Sequence, residues 1–196
     1  MYLYLRLLTC KEANRRKQGG NLIEFIFETT YNQKALTTMA KGVRKTARKK
    51  RTKRSHIFGW IVIALALLLT LADIKDGIEF TANRIITLVA ALVIFIVLIF
   101  EDKINGYVAR KRMLPGTEKS KATFTEEGFH SETEVGKTEW NYDRVLILAE
   151  TKDYFIFVFS TSHAQVYDKN NLSGGTVDEF RKFICERTGK TMTTLK

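Results

Sequence analysis

The sequence holds one proline, two cysteines and three histidines in 196 residues, and each scarcity removes a class of protein. One Pro beside 12 Gly excludes collagen-like and low-complexity chains. Cys10 and Cys185 cannot build a disulfide framework or a structural zinc site, and a reducing compartment is their simpler setting. His56, His130 and His163 stand apart, with no carboxylate or cysteine at metal-ligand spacing, and are read as structural or exposed. There is no Gly-rich phosphate loop, Ser elbow or kinase signature. Glu126-Glu127 and Glu132/Glu134 read as turn and solvent-face charges, not as acid/base pairs. No catalytic, cofactor-binding or metal-binding residue is assigned, and the chain is not read as an enzyme.

Acid is scarce in one part only. Residues 1–116 carry 21 Lys+Arg against 8 Asp+Glu, net +13, while residues 117–196 carry 11 against 13, net −2; the sum is the +11 of the whole chain. The mean hydropathy of −0.14 also averages unlike parts. Ile57–Ala72 (IFGWIVIALALLLTLA) and Ile85–Phe100 (IITLVAALVIFIVLIF) are each sixteen residues without a charge. At ~1.5 Å per residue each covers about 24 Å of a ~30 Å hydrocarbon slab. Ser55 and His56 extend the first run, and Arg84 and Lys103 can snorkel to the interface. Both runs are apolar all round, without the polar stripe of a soluble helix, and Trp60 suits an aromatic belt. They are read as transmembrane helices at about 55–73 and 84–102, within a segment 55–103. No ionisable residue lies inside either, which argues against an ion pathway.

Flanking charge sets the orientation. Residues 41–54 (KGVRKTARKKRTKR) contain nine basic side chains and no acid: Lys41, Arg44, Lys45, Arg48, Lys49, Lys50, Arg51, Lys53 and Arg54. The connecting loop 73–84 is acidic in balance, and Lys103, Arg110, Lys111 and Arg112 follow the second run. The positive-inside rule then places both termini in the cytoplasm of a two-span cell-membrane protein. Upstream, Leu36, Met39, Ala40, Val43 and Ala47 make one apolar stripe, so 21–54 reads as a strand followed by a basic amphipathic juxtamembrane helix. The nine basic residues are its candidate contacts to anionic inner-leaflet lipid. No aromatics interleave them, and no nucleic-acid partner is expected. Residues 1–20 read as a leader, disordered or upstream of a native start near Leu22.

Past Pro115-Gly116 the pattern changes to short strands. LIEFIFE (22–28) alternates like a half-buried strand. KATFT (121–125) and FHSETEV (129–135) flank Glu126-Glu127-Gly128, a hairpin with Gly128 available for positive φ. RVLILAE (144–150) and YFIFVFS (154–160) make a second hairpin, with AQVYD (164–168) as a further strand. YFIFVFS is apolar on both faces, so it should be covered on both, by core on one side and by a helix or the membrane-proximal arm on the other. TVDEFRKFICERTG starts with a Thr176/Glu179 capping box and can end at Gly189. Val177, Phe180, Phe183 and Ile184 form its sheet-facing side, with Cys185 beside it as an inert thiol. The result is an α+β membrane protein: a two-helix transmembrane hairpin plus a small β-rich cytoplasmic domain, 117–190, closed by a C-terminal helix.

ATFTEEGF, TEWNYDRVLILAETKDYFIFVF and TVDEFRKFI, placed after a strand, a basic helix and a two-span hairpin, resemble the bacterial YcxB-like membrane proteins over roughly residues 22–188. The resemblance implies a pleckstrin-homology-like fold for the C-terminal domain. It departs at Val166-Tyr167-Asp168-Lys169, where family members often carry an aliphatic-Pro-Lys step and only Lys169 corresponds. The family implies no activity and no catalytic residue. The function expected is a membrane-tethered module that binds a protein partner; the alternative is a lipid-responsive or self-associating membrane element using the basic helix.

Overall fold

The computed structural model describes residues 24–72 and 81–195. The expected leader and most of the loop joining the two apolar runs lie outside them. In chain order the elements are β1 (Phe25–Thr30), α1 (Gln33–Lys45), α2 (Lys49–Ala72), α3 (Ala82–Lys111), β2 (Lys119–Phe124), β3 (Phe129–Thr133) and β4 (Gly136–Trp140). They continue with β5 (Ile147–Glu150), β6 (Tyr154–Val158), β7 (Ala164–Asp168), β8 (Leu172–Ser173), α4 (Val177–Thr188) and β9 (Met192–Thr194).

Among the described residues nine strands form two sheets, ordered β4-β3-β2-β1-β8 and β7-β6-β5-β9. Alternation drives the first: Phe25, Phe27 and Thr29 of β1 point inward and are buried, while Glu28 and Thr30 are exposed. The strand expected at the N-terminal side thus belongs to the same sheet as β2, paired antiparallel from Phe25↔Phe124 to Thr30↔Lys119. Both faces of β6 are buried. Phe155 and Phe157 enter an aromatic core with Phe27, Phe124 and Phe180, while Tyr154, Ile156 and Val158 pack with Ala35 and Val43 of α1. Helix α1 therefore supplies the second cover that the two-faced strand required.

Helix α4 closes the aromatic core. Thr176 and Glu179 form the reciprocal capping box, and Gly189 ends the helix at φ +64°. Phe180 is fully buried, with its ring 4.6 Å from Phe27 and 4.9 Å from Phe124. Burying such a ring contributes roughly 1.5–3 kcal/mol. Cys185 packs partly buried beside this core, and burial pushes its thiol pKa up.

Several local expectations are corrected. The strand expected from Arg144 begins at Ile147, because Tyr142–Arg144 turn as a short 3-10 helix with the Tyr142 hydroxyl donating to Thr125 O at 2.6 Å. Gly128 does not use positive φ; its role is close approach, since a Cβ there would lie 2.8 Å from Trp140 O. Strand β4 was not anticipated because GKTEW is almost wholly exposed and shows no alternation. Strands β8 and β9 are two and three residues long, too short for a periodic signal.

Helices α2 and α3 are long and apolar enough to cross a membrane, and only 11% and 6% of their most apolar windows are buried. They lie antiparallel: a Cβ on Gly59 would meet Leu98 at 2.8 Å, and Trp60 sits edge-on to Phe95 at 5.9 Å. α3 continues to Lys111, past the expected end near residue 102, and carries one non-helical residue, Phe100 (φ −101°, ψ 16°).

Candidate functional site, the charged junction between the helix pair and the sheet unit

The basic stretch 41–54 is not one amphipathic helix. Asn32 caps α1 by accepting from Ala35 N at 2.9 Å, and the helix stops at Thr46, whose backbone leaves the helical region. A turn at residues 46–48 follows, and α2 starts at Lys49. Of the apolar stripe expected on this arm, Val43, Met39 and Ala47 pack against β6 and β7, joined there by the buried Ala35.

The nine basic residues accordingly have different environments. Arg44 is half-buried and forks onto Asp102 of α3, Nε to Oδ1 and Nη2 to Oδ2, each at 2.6 Å. Its hydrogen bonds to Asp102 push the Arg44 pKa above its ordinary value. Arg48 donates from Nε to Thr161 O in the β6–β7 connection. Lys41 is half-buried on α1 and Lys45 is exposed at its end. Lys49, Lys50, Arg51, Lys53 and Arg54 are exposed around the first turns of α2. The structure thus divides the candidate set into inward anchors and an exposed basic collar.

One carboxylate pair, missed in the sequence, organises the junction. Glu101 Oε2 lies 2.8 Å from His56 Nε2 and 3.9 Å from Arg44 Nε, so His56 is not an isolated histidine. Four side chains from three helices therefore form one chain of contacts, His56–Glu101–Arg44–Asp102. A signal for it was present: His56 directly precedes the first uncharged run and Glu101 directly follows the second, so an antiparallel pair brings them level. Just beyond, Gly106 lets α3 cross α1 closely; a Cβ there would lie 2.6 Å from Thr37 Oγ1 and 2.8 Å from Thr37 N. This arrangement is an electrostatic and steric clamp. Among the described residues no group of three or more His, Cys, Asp or Glu is placed to hold a metal ion.

A second ionic cluster lies within the sheet unit. Lys169 Nζ donates to Glu150 Oε2 at 2.6 Å and to Thr151 O at 2.7 Å, and sits 4.4 Å from the Phe155 ring centroid. Arg181 Nη2 reaches the same Glu150 oxygen at 3.0 Å, and Arg181 also pairs with Asp178. Burial pushes the Glu150 carboxyl up, but hydrogen bonds from Lys169 and Arg181 outweigh it and hold the pKa below its ordinary value. Lys169 is the position retained from the aliphatic-Pro-Lys step, and its contacts here are internal.

Two sheets, a closing helix and two long apolar helices clamped to them define an α+β protein with a helix pair able to span a membrane. Residues 124–184 match the family model described as YcxB-like protein. The match runs from the end of β2 to Ile184 of α4, inside the wider span of the resemblance, and includes the Trp140 segment and the two-faced aromatic strand β6. No curated protein and no solved structure matches the chain.

Proposed function

We propose that the chain is a two-span membrane anchor that holds a pleckstrin-homology-like sheet unit at the cytoplasmic face, where the unit acts as a protein-interaction module. The observation that carries this reading is the course of α3. Past its apolar window it bends at the non-helical Phe100 and goes on through Asp102 and Gly106, where it is fastened to α1, and α1 is itself packed on β6 and β7. An anchor joined in this way fixes the height and orientation of the unit's surface, as presentation to a partner requires. The pleckstrin-like reading is supported by two sheets closed at one end by a C-terminal helix.

Orientation follows from the exposed collar Lys49–Arg54 before the first apolar window and Arg110–Arg112 after the second, which the positive-inside rule assigns to the cytoplasm. The test pairs topology with capture. A C-terminal fusion to a phosphatase active only outside the membrane should be silent, and a membrane-impermeant thiol reagent should label an Asp76→Cys variant in intact cells. Site-specific photo-crosslinkers on the exposed sheet faces should then yield discrete protein adducts. An active phosphatase fusion would overturn the topology, and crosslinks to lipid alone would overturn the module.

A second reading has its own observation. Five basic residues of the collar are exposed at one end of the helix pair, and each would gain roughly 1 kcal/mol near an anionic leaflet. On this reading the chain responds to lipid charge or self-associates. Loss of every protein adduct, with dependence on anionic lipid retained, would favour it.

A further inference from the structure

The inner face of the first sheet changes character along its strands. Phe124, Phe129 and Trp140 lie in register at one end of β2, β3 and β4, and then come Ala122, Ser131 and the exposed Thr138 beside them. Ser120 follows on β2. The aromatic end is filled by Phe157, Tyr167 and Phe180 from the other sheet and α4. The hydroxyl end carries smaller side chains, and a cleft of about 440 Å³ lies between it, His163–Gln165 of β7 and its approach, Leu36 of α1 and Met113. That volume falls in the range of small-molecule sites.

The cleft has no acid in its lining, and the hydroxyls of Thr117 and Thr133 are already donated to Leu114 O and Gly136 O. Ser120 and Ser131 are 6% and 8% exposed, and their hydroxyl oxygens lie 2.6 Å apart. One hydroxyl donates to the other, which leaves one O–H hydrogen with no protein acceptor among the described residues. A buried polar hydrogen without an acceptor is destabilising, so a β-branched apolar pair would be the better filler if nothing occupied the space. Gln165 Oε1 accepts from the Tyr167 hydroxyl at 2.6 Å, which leaves its amide hydrogens as donors. Tyr31 is pushed up to about 12 by burial and stays protonated. The charge at the rim is weak: Lys137 is paired with Glu139 at 3.1 Å, and burial pushes the His163 pKa down.

We propose that this cleft binds a short acyl compound, its carboxylate or amide oxygen accepting from the Ser120–Ser131 hydroxyl pair and its apolar body lying along Leu36, Met113 and Val135. The site adds a small-molecule ligand to the anchored unit and does not depend on which partner the unit contacts. The chain has two tryptophans, and Trp140 stacks on His163 at 5.5 Å between ring centroids, so Trp140 reports on the cleft once Trp60 is replaced by Phe.

Full-length Trp60→Phe protein in neutral nanodiscs is titrated with hexanoate, hexanamide and hexylammonium while Trp140 emission is followed. A saturable change is expected with hexanoate, hexanamide or both, and none with hexylammonium; the two acceptor arms separate an anionic from a neutral head. Replacing both hydroxyls together, Ser120→Ala with Ser131→Ala, should weaken binding by about fivefold with the unfolding midpoint nearly unchanged, because either single variant keeps one free O–H. Val135→Asp, at an exposed position on the cleft mouth, should weaken hexanoate more than hexanamide and keeps the test open if the double variant misfolds. Saturation by hexylammonium with equal affinity, no saturation by either acceptor probe up to about 10 mM, or wild-type affinity in the folded double variant would overturn the proposal.

Discussion

Arg44 of α1 and Asp102 of α3, 58 positions apart in the chain, face each other as a two-bonded fork with both contacts at 2.6 Å. The pair is shielded, with side-chain exposures of 23% and 17%. It fastens the sheet-bound helix to the end of an apolar helix, and Glu101 extends it to His56 on α2. Removing either partner leaves the other charge half-buried. Arg44→Ala and Asp102→Ala should each cost about 1–3 kcal/mol in denaturant unfolding of the full chain, and the double variant should cost much less than their sum. Additive losses would mean that the fork is not a coupled unit.

Gly106 makes the second fastening steric. A methyl group there would fall 2.6 Å from Thr37 Oγ1 and 2.9 Å from Thr37 Cα, and backbone cannot yield as a flexible side-chain end can. Gly106→Ala should therefore push α1 and α3 apart and destabilise by about 1–3 kcal/mol. Gly136→Ala is the matched control, with nothing within 4 Å of the added carbon, and should stay within about 0.5 kcal/mol of the parent. Equal midpoints for the two variants would show that the close crossing carries no stability.

Periodicity explains which parts of this architecture could be read from residues alone. Wherever one face is buried and the other wet, as in Phe25-Phe27, or a helix has both caps, as at Thr176 and Gly189, the local pattern is enough. The two-faced strand called for a cover on its second side, a helix or the arm before the first apolar run, and α1 is that cover. The pattern was misleading on the basic arm, because an amphipathic stripe does not say whether its partner is a sheet or a lipid surface. Ala35 and Val43 went to β6 and β7. Nor does charge density reveal which cations have carboxylate partners: Arg44 and Lys49 look alike in the run, yet only a tertiary contact to Asp102 distinguishes them. Strand β4 was hidden because an exposed edge strand such as Gly136–Trp140 has no apolar alternation.

Phe180 tests whether the aromatic core holds the sheets and α4 together. Its ring meets Phe25, Phe27, Phe124 and Phe155 at centroid distances between 4.6 and 5.3 Å. Phe180→Ala should cost about 3–5 kcal/mol, and Phe180→Leu clearly less, because the smaller change leaves a smaller cavity. Protease cleavage within the β2–α4 segment at native conditions should rise in the same order. Similar resistance in both variants would place the core's stability elsewhere.

Acid should weaken the sheet unit through Glu150. Glu150 is 9% exposed, and Lys169 and Arg181 hold its folded-state pKa below the ordinary glutamate value. A depressed folded pKa means that the unfolded chain binds the proton more readily, so the stabilisation is complete above the ordinary glutamate pKa. It is lost as pH falls through that value toward the folded one. Asp153 and Glu179 are lowered too, by hydrogen bonds from Lys34 and from Thr176, and contribute in the same acid window. The informative measurement is a difference: unfolding midpoints of the parent and of Glu150→Gln across the acid range, at fixed salt. The variant should be less stable at neutral pH, because Lys169 then lies half-enclosed without a carboxylate, and its acid-side slope should be shallower. Parallel pH profiles for the two proteins would show that Glu150 does not supply the acid sensitivity.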